Sequence, residues 1–141
     1  MEIINQVHQE VAILIARLFL GFLFFFQGYD AVFKIKIKNV IITYQNTFQR
    51  NGITTILTIC GAWFTSCSAL IGGLLLIVGL FEYIALYLLG INLIITAIAF
   101  GMNTPMWDTR FVFPRLILLL LLLIVPPNWN IYSIDNLLFK P

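Results

Sequence analysis

Long apolar runs separated by short polar stretches dominate the pattern of this chain. The run from Leu116 to Val125 contains no polar side chain at all. A helix that crosses a bilayer needs ~20 mostly apolar residues. Four segments meet that need: Val11–Phe33, Thr55–Leu80, Tyr83–Phe100 and Trp107–Val125. The pattern therefore predicts an all-α fold, an integral membrane four-helix bundle that forms one transmembrane domain over residues 1–141.

The only sizeable polar stretch, Lys34–Gly52, lies between the first two predicted spans. It opens with three lysines and continues with an apolar stripe that repeats every 3 to 4 residues: Val40, Ile41, Tyr44, Thr47 and Phe48. Such a stripe is typical of a short amphipathic helix that lies at the membrane interface. An ordered loop is an equally good interpretation of so short a segment.

Composition supports the membrane prediction and excludes other classes of protein. Hydrophobic residues make up 61% of the 141 residues and charged residues only 10%, whereas soluble domains carry about 25% charged residues. Membrane lipids are therefore the first expected partners. A net charge of +2, with no basic run interleaved with aromatics, gives no reason to expect nucleic acid as a partner.

The distribution of charge predicts the orientation of the chain. The loops after the first and third spans hold most of the cations: Lys34, Lys36, Lys38, Arg50, Arg110 and Arg115. Cytoplasmic loops carry an excess of Lys and Arg. We therefore expect both termini on the non-cytoplasmic side.

Small residues predict where the helices pack closely. Gly21 and Gly28 share one face of the first span, and Gly72 and Gly73 lie near the middle of the second. Small residues at helical spacing let two helices approach each other in lipid. We expect these four glycines to serve helix packing rather than to line a cavity.

Four polar residues are candidates for buried or ligand-binding positions. Asn92 and Thr96 form a polar stripe on the third span, and Arg17 lies within the first. For Asn92, an interhelical hydrogen bond is the favoured interpretation over ligand binding. A charge at the predicted depth of Arg17 is costly unless it is paired, or unless the side chain snorkels to the headgroups. Asp135 and Glu82 lie on the same predicted side, and Asn92 is expected at a similar depth. The hypothesis is that Arg17 pairs with Asp135 and closes the C-terminal segment over that end of the bundle.

No catalytic or metal-binding residues are predicted. Cys60 and Cys67 are seven residues apart in one span, about 10 Å, which is too far for a disulfide. Buried thiols of this kind usually only fill space. His8 is the only histidine, and nothing is spaced to join it at a metal, so no cofactor ligand is evident.

Three ordered motifs resemble the DoxX family of small four-helix bacterial membrane proteins. They are Arg17-Leu-Phe-Leu-Gly21 with Gln27-Gly28, Ala69-Leu-Ile-Gly-Gly-Leu-Leu-Leu-Ile-Val-Gly79, and Tyr132-Ser-Ile-Asp135. The resemblance implies a multi-pass protein of the bacterial cytoplasmic (inner) membrane. Some relatives are linked to sulfur and thiol redox chemistry, including a thiosulfate:quinone oxidoreductase membrane subunit, so the resemblance leaves a quinone open as a cofactor.

This chain departs from the family pattern at Ala69, where the second motif has a glutamate. We therefore favour a binding or accessory component for lipid, a quinone or a membrane partner, without autonomous catalysis. The alternative is a membrane subunit of a sulfur- or thiol-linked quinone oxidoreductase system, which would receive electrons from a redox protein partner.

Overall fold

The computed structural model describes residues 2–49, 54–103, 112–126, 133 and 135, and these contain five α-helices. The helices are α1 (Glu2–Tyr29), α2 (Ile37–Gln49), α3 (Thr55–Val78), α4 (Glu82–Asn103) and α5 (Phe113–Ile124). A π-helical turn, Asp30–Lys34, directly follows α1. The described residues include no strand, and the all-α prediction is confirmed.

Three helices of the described chain are long and apolar enough to cross a membrane. These stretches are Val7–Lys34, Thr55–Val78 and Glu82–Ala99. They coincide with the first three predicted spans, although α1 begins at Glu2, nine residues before the predicted start at Val11. The chain is therefore a multi-pass membrane protein.

The fourth predicted span corresponds to the shorter helix α5. It has 12 residues and rises about 18 Å. A full crossing needs ~20 residues, because the hydrocarbon core is about 30 Å thick. Pro114 lies in the first turn of α5, where a missing N–H costs little, and Val125 is already extended ahead of Pro126. The start of the predicted span, Trp107–Phe111, lies outside the described residues, so the count of four spans stays a prediction.

The backbones of α1 and α3 are in direct contact at their glycines. A Cβ atom on Gly73 would lie 2.8 Å from the carbonyl oxygen of Gly21, and one on Gly28 would lie 2.6 Å from the Cα of Leu70. Real Cβ atoms essentially never come this close to backbone. On the other face of α3, a Cβ on Gly72 would lie 2.8 Å from the side chain of Leu89 in α4. Because α3 meets both α1 and α4 through glycine, it is the central helix of the bundle.

Apolar side chains from α1, α3, α4 and α5 fill the space around this contact. The fully buried ones include Leu20, Phe24, Leu76, Leu86 and Leu89. Many large apolar side chains of the same helices point outward and remain exposed, such as Phe19, Ile71 and Ile94. An apolar surface of this kind is expected where the solvent is lipid.

The polar stretch after the first span contains a helix rather than an irregular loop. This helix, α2, packs against α3 and α4 through a face on which Val40, Ile41 and Tyr44 are half-buried. Ile42, Thr43 and Asn46 on the opposite face are exposed. The amphipathic helix was one of the two open interpretations, and the structure selects it.

The first prediction concerns the glycine contact between α1 and α3. We expect Gly73→Ala to lower the free energy of unfolding by about 1–3 kcal/mol, because overpacking costs that much where backbone cannot yield. The measurement is thermal or denaturant unfolding in detergent. Gly90→Ala is the matched control, since its Cβ would meet only Leu119 at 3.9 Å. Equal stability of the two variants would contradict the contact.

Candidate functional site

A buried ionic junction forms where α3 turns into α4. Arg17 of α1 lies with its Nη1 atom 3.9 Å from the Oε2 atom of Glu82, and both side chains are almost completely buried. Asp135 of the C-terminal segment lies in the same place, because its carboxylate accepts the backbone N–H groups of Phe81 (2.9 Å) and Glu82 (3.0 Å). We call the set Arg17, Glu82 and Asp135 the ionic junction.

The turn at this junction has an unusual backbone. Gly79 ends α3 in the left-handed conformation with φ 74°, and its N–H donates to the carbonyl of Leu75. Phe81 also has a positive φ, 50°, which costs a non-glycine residue about 1–3 kcal/mol. The Asp135 carboxylate offsets this cost, since it satisfies N–H groups at the start of α4 that have no partner within the helix. The backbone N–H of Asp135 also donates to the carbonyl of Gly79.

The junction revises the hypothesis about Arg17. Asp135, one of the two described residues beyond α5 and Pro126, is bonded to the α3–α4 turn at the same end of the bundle as Arg17. The ion pair that the structure gives Arg17 is with Glu82, and the Asp135 carboxylate is engaged with backbone N–H groups. Sequence reasoning placed Glu82 on the same side as Arg17 but chose Asp135 as the partner, since linear spacing does not show which carboxylate faces α1.

A second polar group lies deeper in the bundle, around Asn92. Its Nδ2 atom donates to the carbonyl of Thr65 (2.7 Å) and to the hydroxyl of Ser68 (2.6 Å), and its Oδ1 accepts the Thr96 hydroxyl (3.1 Å). Thr65 in turn lies 3.3 Å from the Tyr44 hydroxyl of α2. These five residues, which we call the polar column, link α2, α3 and α4. The two hydrogen bonds that the Asn92 Nδ2 atom donates are interhelical, in keeping with its favoured interpretation, whereas the one from Thr96 lies within α4.

The polar column is separate from the ionic junction. Asn92 lies ten residues after Glu82 in the same helix, about 15 Å along its axis. The expectation that Arg17 and Asn92 lie at a similar depth is therefore wrong. The reason is that Arg17 lies beside the α3–α4 turn, where a Cβ on Gly79 would be 3.2 Å from the arginine Cζ, whereas Asn92 contacts the middle of α3.

An apolar cavity of about 370 Å³ opens beside the polar column, between α2, α3 and α4. Its walls are formed by Tyr44 of α2, by Leu57, Thr58, Cys60, Gly61 and Phe64 of α3, and by Ile95 and Ile98 of α4. The hydroxyl of Thr58 donates to the carbonyl of Thr54 at 3.2 Å. The cavity therefore offers mostly hydrocarbon surface, with two hydroxyl-bearing side chains in its wall.

The two cysteines differ in their surroundings. Cys60 is exposed and lies in the cavity wall, whereas Cys67 is half-buried, and both thiols are free. The interpretation of both as buried residues that fill space is wrong for Cys60. Among the described residues, no three His, Cys, Asp or Glu side chains are grouped closely enough to hold a metal ion.

A family model described as DoxX matches residues 12–102, which is more than half of the chain. The chain belongs to the DoxX family. The matched region covers most of α1 and continues almost to the end of α4, so it includes the ion pair and the polar column but not Asp135. No curated protein and no solved structure matches the chain.

The position at which the resemblance implied a glutamate, Ala69, is apolar in its surroundings. Ala69 is 1% exposed and packs in the hydrophobic core beside Leu76 and Leu89. Glu82 does not substitute for that carboxylate, because it lies beyond the end of α3 at the ionic junction.

The second prediction concerns the ion pair between Arg17 and Glu82. We expect Arg17→Met to destabilise the bundle by about 3–5 kcal/mol, because removing one partner of a buried ion pair leaves the other charge uncompensated. The double variant Arg17→Met/Glu82→Gln should recover part of that loss. The measurement is a double-mutant cycle: the unfolding free energies of Arg17→Met, Glu82→Gln and the double variant are compared with that of wild type in detergent. Strictly additive effects would show that the two side chains do not interact.

Proposed function

We propose that this DoxX-family protein is a binding or accessory component of the bacterial cytoplasmic membrane that holds one apolar molecule without autonomous catalysis. The cavity between α2, α3 and α4 is the observation that carries the proposal. Its volume of about 370 Å³ falls within the range of about 300–1,000 Å³ that is usual for small-molecule sites. A quinone ring or part of a lipid acyl chain is the kind of molecule that such a cavity accepts.

The chemistry of the cavity wall supports binding through shape and apolar contact. Phe64, Ile95 and Ile98 supply hydrocarbon surface on two helices, and Tyr44 closes the cavity from α2. Tyr44 and Thr58 are the hydroxyl-bearing side chains of the wall. The Tyr44 hydroxyl is 3.3 Å from the Oγ1 atom of Thr65. A ligand carbonyl that accepts a hydrogen bond from Tyr44 would therefore join the hydrogen-bonded polar column.

The orientation proposed for the protein follows from its charges. The lysines at positions 34, 36 and 38 lie from the end of the π-helical turn to the first turn of α2, and an excess of such cations is typical of cytoplasmic loops. We place this end of the bundle on the cytoplasmic side and both termini on the opposite side. The ionic junction then lies near the non-cytoplasmic surface.

The third prediction concerns a substitution that fills the cavity. At Gly61 a Cβ would meet no atom within 4 Å, so Gly61→Leu projects a side chain into the cavity without forcing the helix apart. We expect the variant to fold and to lose most of the quinone or lipid that the wild-type protein retains. The measurement is solvent extraction of protein purified in nanodiscs, followed by mass spectrometric quantification of quinones and lipids per chain.

The matched control for this prediction is Gly101→Leu. A Cβ at Gly101 also meets nothing within 4 Å, but the residue does not line the cavity. Both substitutions gain about 0.8–1 kcal/mol of helix propensity, so neither should lower the melting temperature. Equal ligand content in wild type and in both variants would contradict the proposed function.

The alternative proposal is a membrane subunit of a sulfur- or thiol-linked quinone oxidoreductase system. The exposed thiol of Cys60 in the cavity wall is the observation that favours it. Under this alternative a redox protein co-purifies, and Cys60→Ser abolishes quinone reduction by the complex. Under the binding proposal, Cys60→Ser leaves the ligand content unchanged.

A further inference from the structure

A second concave site lies on a different face of the bundle, between α1 and the start of α5. This groove has a volume of about 340 Å³. One part of its wall is aromatic, with Phe19, Phe22 and Phe26, and the other part is polar, with Gln27, Asp30 and Arg115. It shares no lining residue with the cavity between α2, α3 and α4.

Arg115 is the main charge of this groove. Its Nη1 atom donates to the side-chain carbonyl of Gln27, and its guanidinium carbon lies 5.5 Å from the centroid of the Phe24 ring. The side chain is half-buried, and no carboxylate of the described residues lies within 4.0 Å of it. A cation in an apolar environment without a counter-charge is costly, so the groove is electrostatically suited to an anion.

The remaining charges around the groove reinforce that preference. Asp30 also lines it, but its carboxylate is 2.7 Å from the Lys34 ammonium, which neutralises it. Lys36 and Lys38 are exposed beyond this end of α1 and do not line the groove, so they are not part of this balance. Arg115 itself lies in the first turn of α5, where the helix dipole also favours a negative charge. Counting only the described residues that line the groove, with Lys34 paired to Asp30, its polar end is therefore net positive.

The aromatic part of the groove suits a hydrocarbon chain. Phe19, Phe22 and Phe26 lie three and four residues apart on one face of α1, and each is about half exposed. Their Cα atoms span about 10 Å along the helix, which leads from the middle of the span toward Gln27. A ligand that follows this face has an apolar tail beside the rings and an anionic end at Arg115.

We propose that this groove binds one anionic phospholipid. Its phosphate accepts hydrogen bonds from the Arg115 guanidinium, whose planar set of donors matches phosphate oxygens. The Gln27 side chain holds the guanidinium in place and contributes its amide nitrogen as a further donor. One acyl chain lies along Phe19, Phe22 and Phe26. Exposed rings alone would hold any lipid, and the positive charge of Arg115 is what selects the headgroup.

The fourth prediction tests this selection by native mass spectrometry. The protein is reconstituted in nanodiscs of equal parts phosphatidylglycerol and phosphatidylcholine, and the lipid that stays bound after annular lipid has been removed is counted. We expect wild type to retain one phosphatidylglycerol, and Arg115→Gln to retain it about tenfold less, the factor that corresponds to about 1.4 kcal/mol. Arg115→Lys should keep part of the preference, since the positive charge remains.

Lys38→Gln is the matched control, because it removes one positive charge from the same end of the bundle at an exposed position outside the groove. It should retain phosphatidylglycerol as wild type does. Equal retention of both lipids by wild type, unchanged retention by a folded Arg115→Gln, or the same loss in Lys38→Gln would each overturn the proposal. Stabilisation by inorganic phosphate equal to that by the lipid would also overturn it.

This inference is independent of the proposed function, and the two can fail separately. Gly61→Leu should empty the cavity and leave phosphatidylglycerol at the groove, whereas Arg115→Gln should have the opposite effect. A variant that loses both ligands together would indicate general unfolding, which its melting temperature reveals.

Discussion

Hydrogen bonding of Asn92 is the interaction on which the arrangement of this bundle most depends. A buried amide in an apolar interior is costly unless its donors and acceptor are satisfied. Asn92 meets that demand only when α3 brings Thr65 and Ser68 to it, so the amide fixes the register of α4 on α3. Thr65 extends the constraint to Tyr44 of α2. The cavity between the three helices lies directly beside this polar column, and its shape follows from the same contacts.

Different interactions stabilise the α1–α3 contact and the α3–α4 turn. Along α1 and α3, glycines let backbone touch backbone, so van der Waals packing replaces the hydrophobic effect that is absent between helices in lipid. At the α3–α4 turn, the strained conformation of Phe81 is stabilised by the Asp135 carboxylate and lies beside a buried ion pair. Backbone contact between α1 and α3 and the ion pair at the turn leave the α2 side of α3 free to form the wall of the apolar cavity.

The sequence predicted what depends on local periodicity and failed where residues distant along the chain meet. Hydropathy was sufficient to place α3 and α4 within a few residues, and glycine spacing indicated the faces that pack. Arg17 was recognised as a buried charge, but Asp135 was chosen as its partner over Glu82, because the position of the start of α4 beside α1 is a property of the tertiary fold. The exposure of Cys60 was missed for the same reason: it depends on where α2 leaves the surface of α3 uncovered.

Photo-crosslinking tests the central claim, that an apolar molecule occupies the cavity beside the polar column, most directly. The protein in native-lipid nanodiscs is irradiated with a diazirine-labelled quinone or a diazirine-labelled acyl lipid, and the modified residues are mapped by tandem mass spectrometry. The account predicts saturable labelling by at least one probe within Leu57–Phe64 of α3 or at Ile95 and Ile98 of α4. Labelling by both probes that is spread over the outward faces of the helices in proportion to their exposure, and that does not saturate, would contradict it.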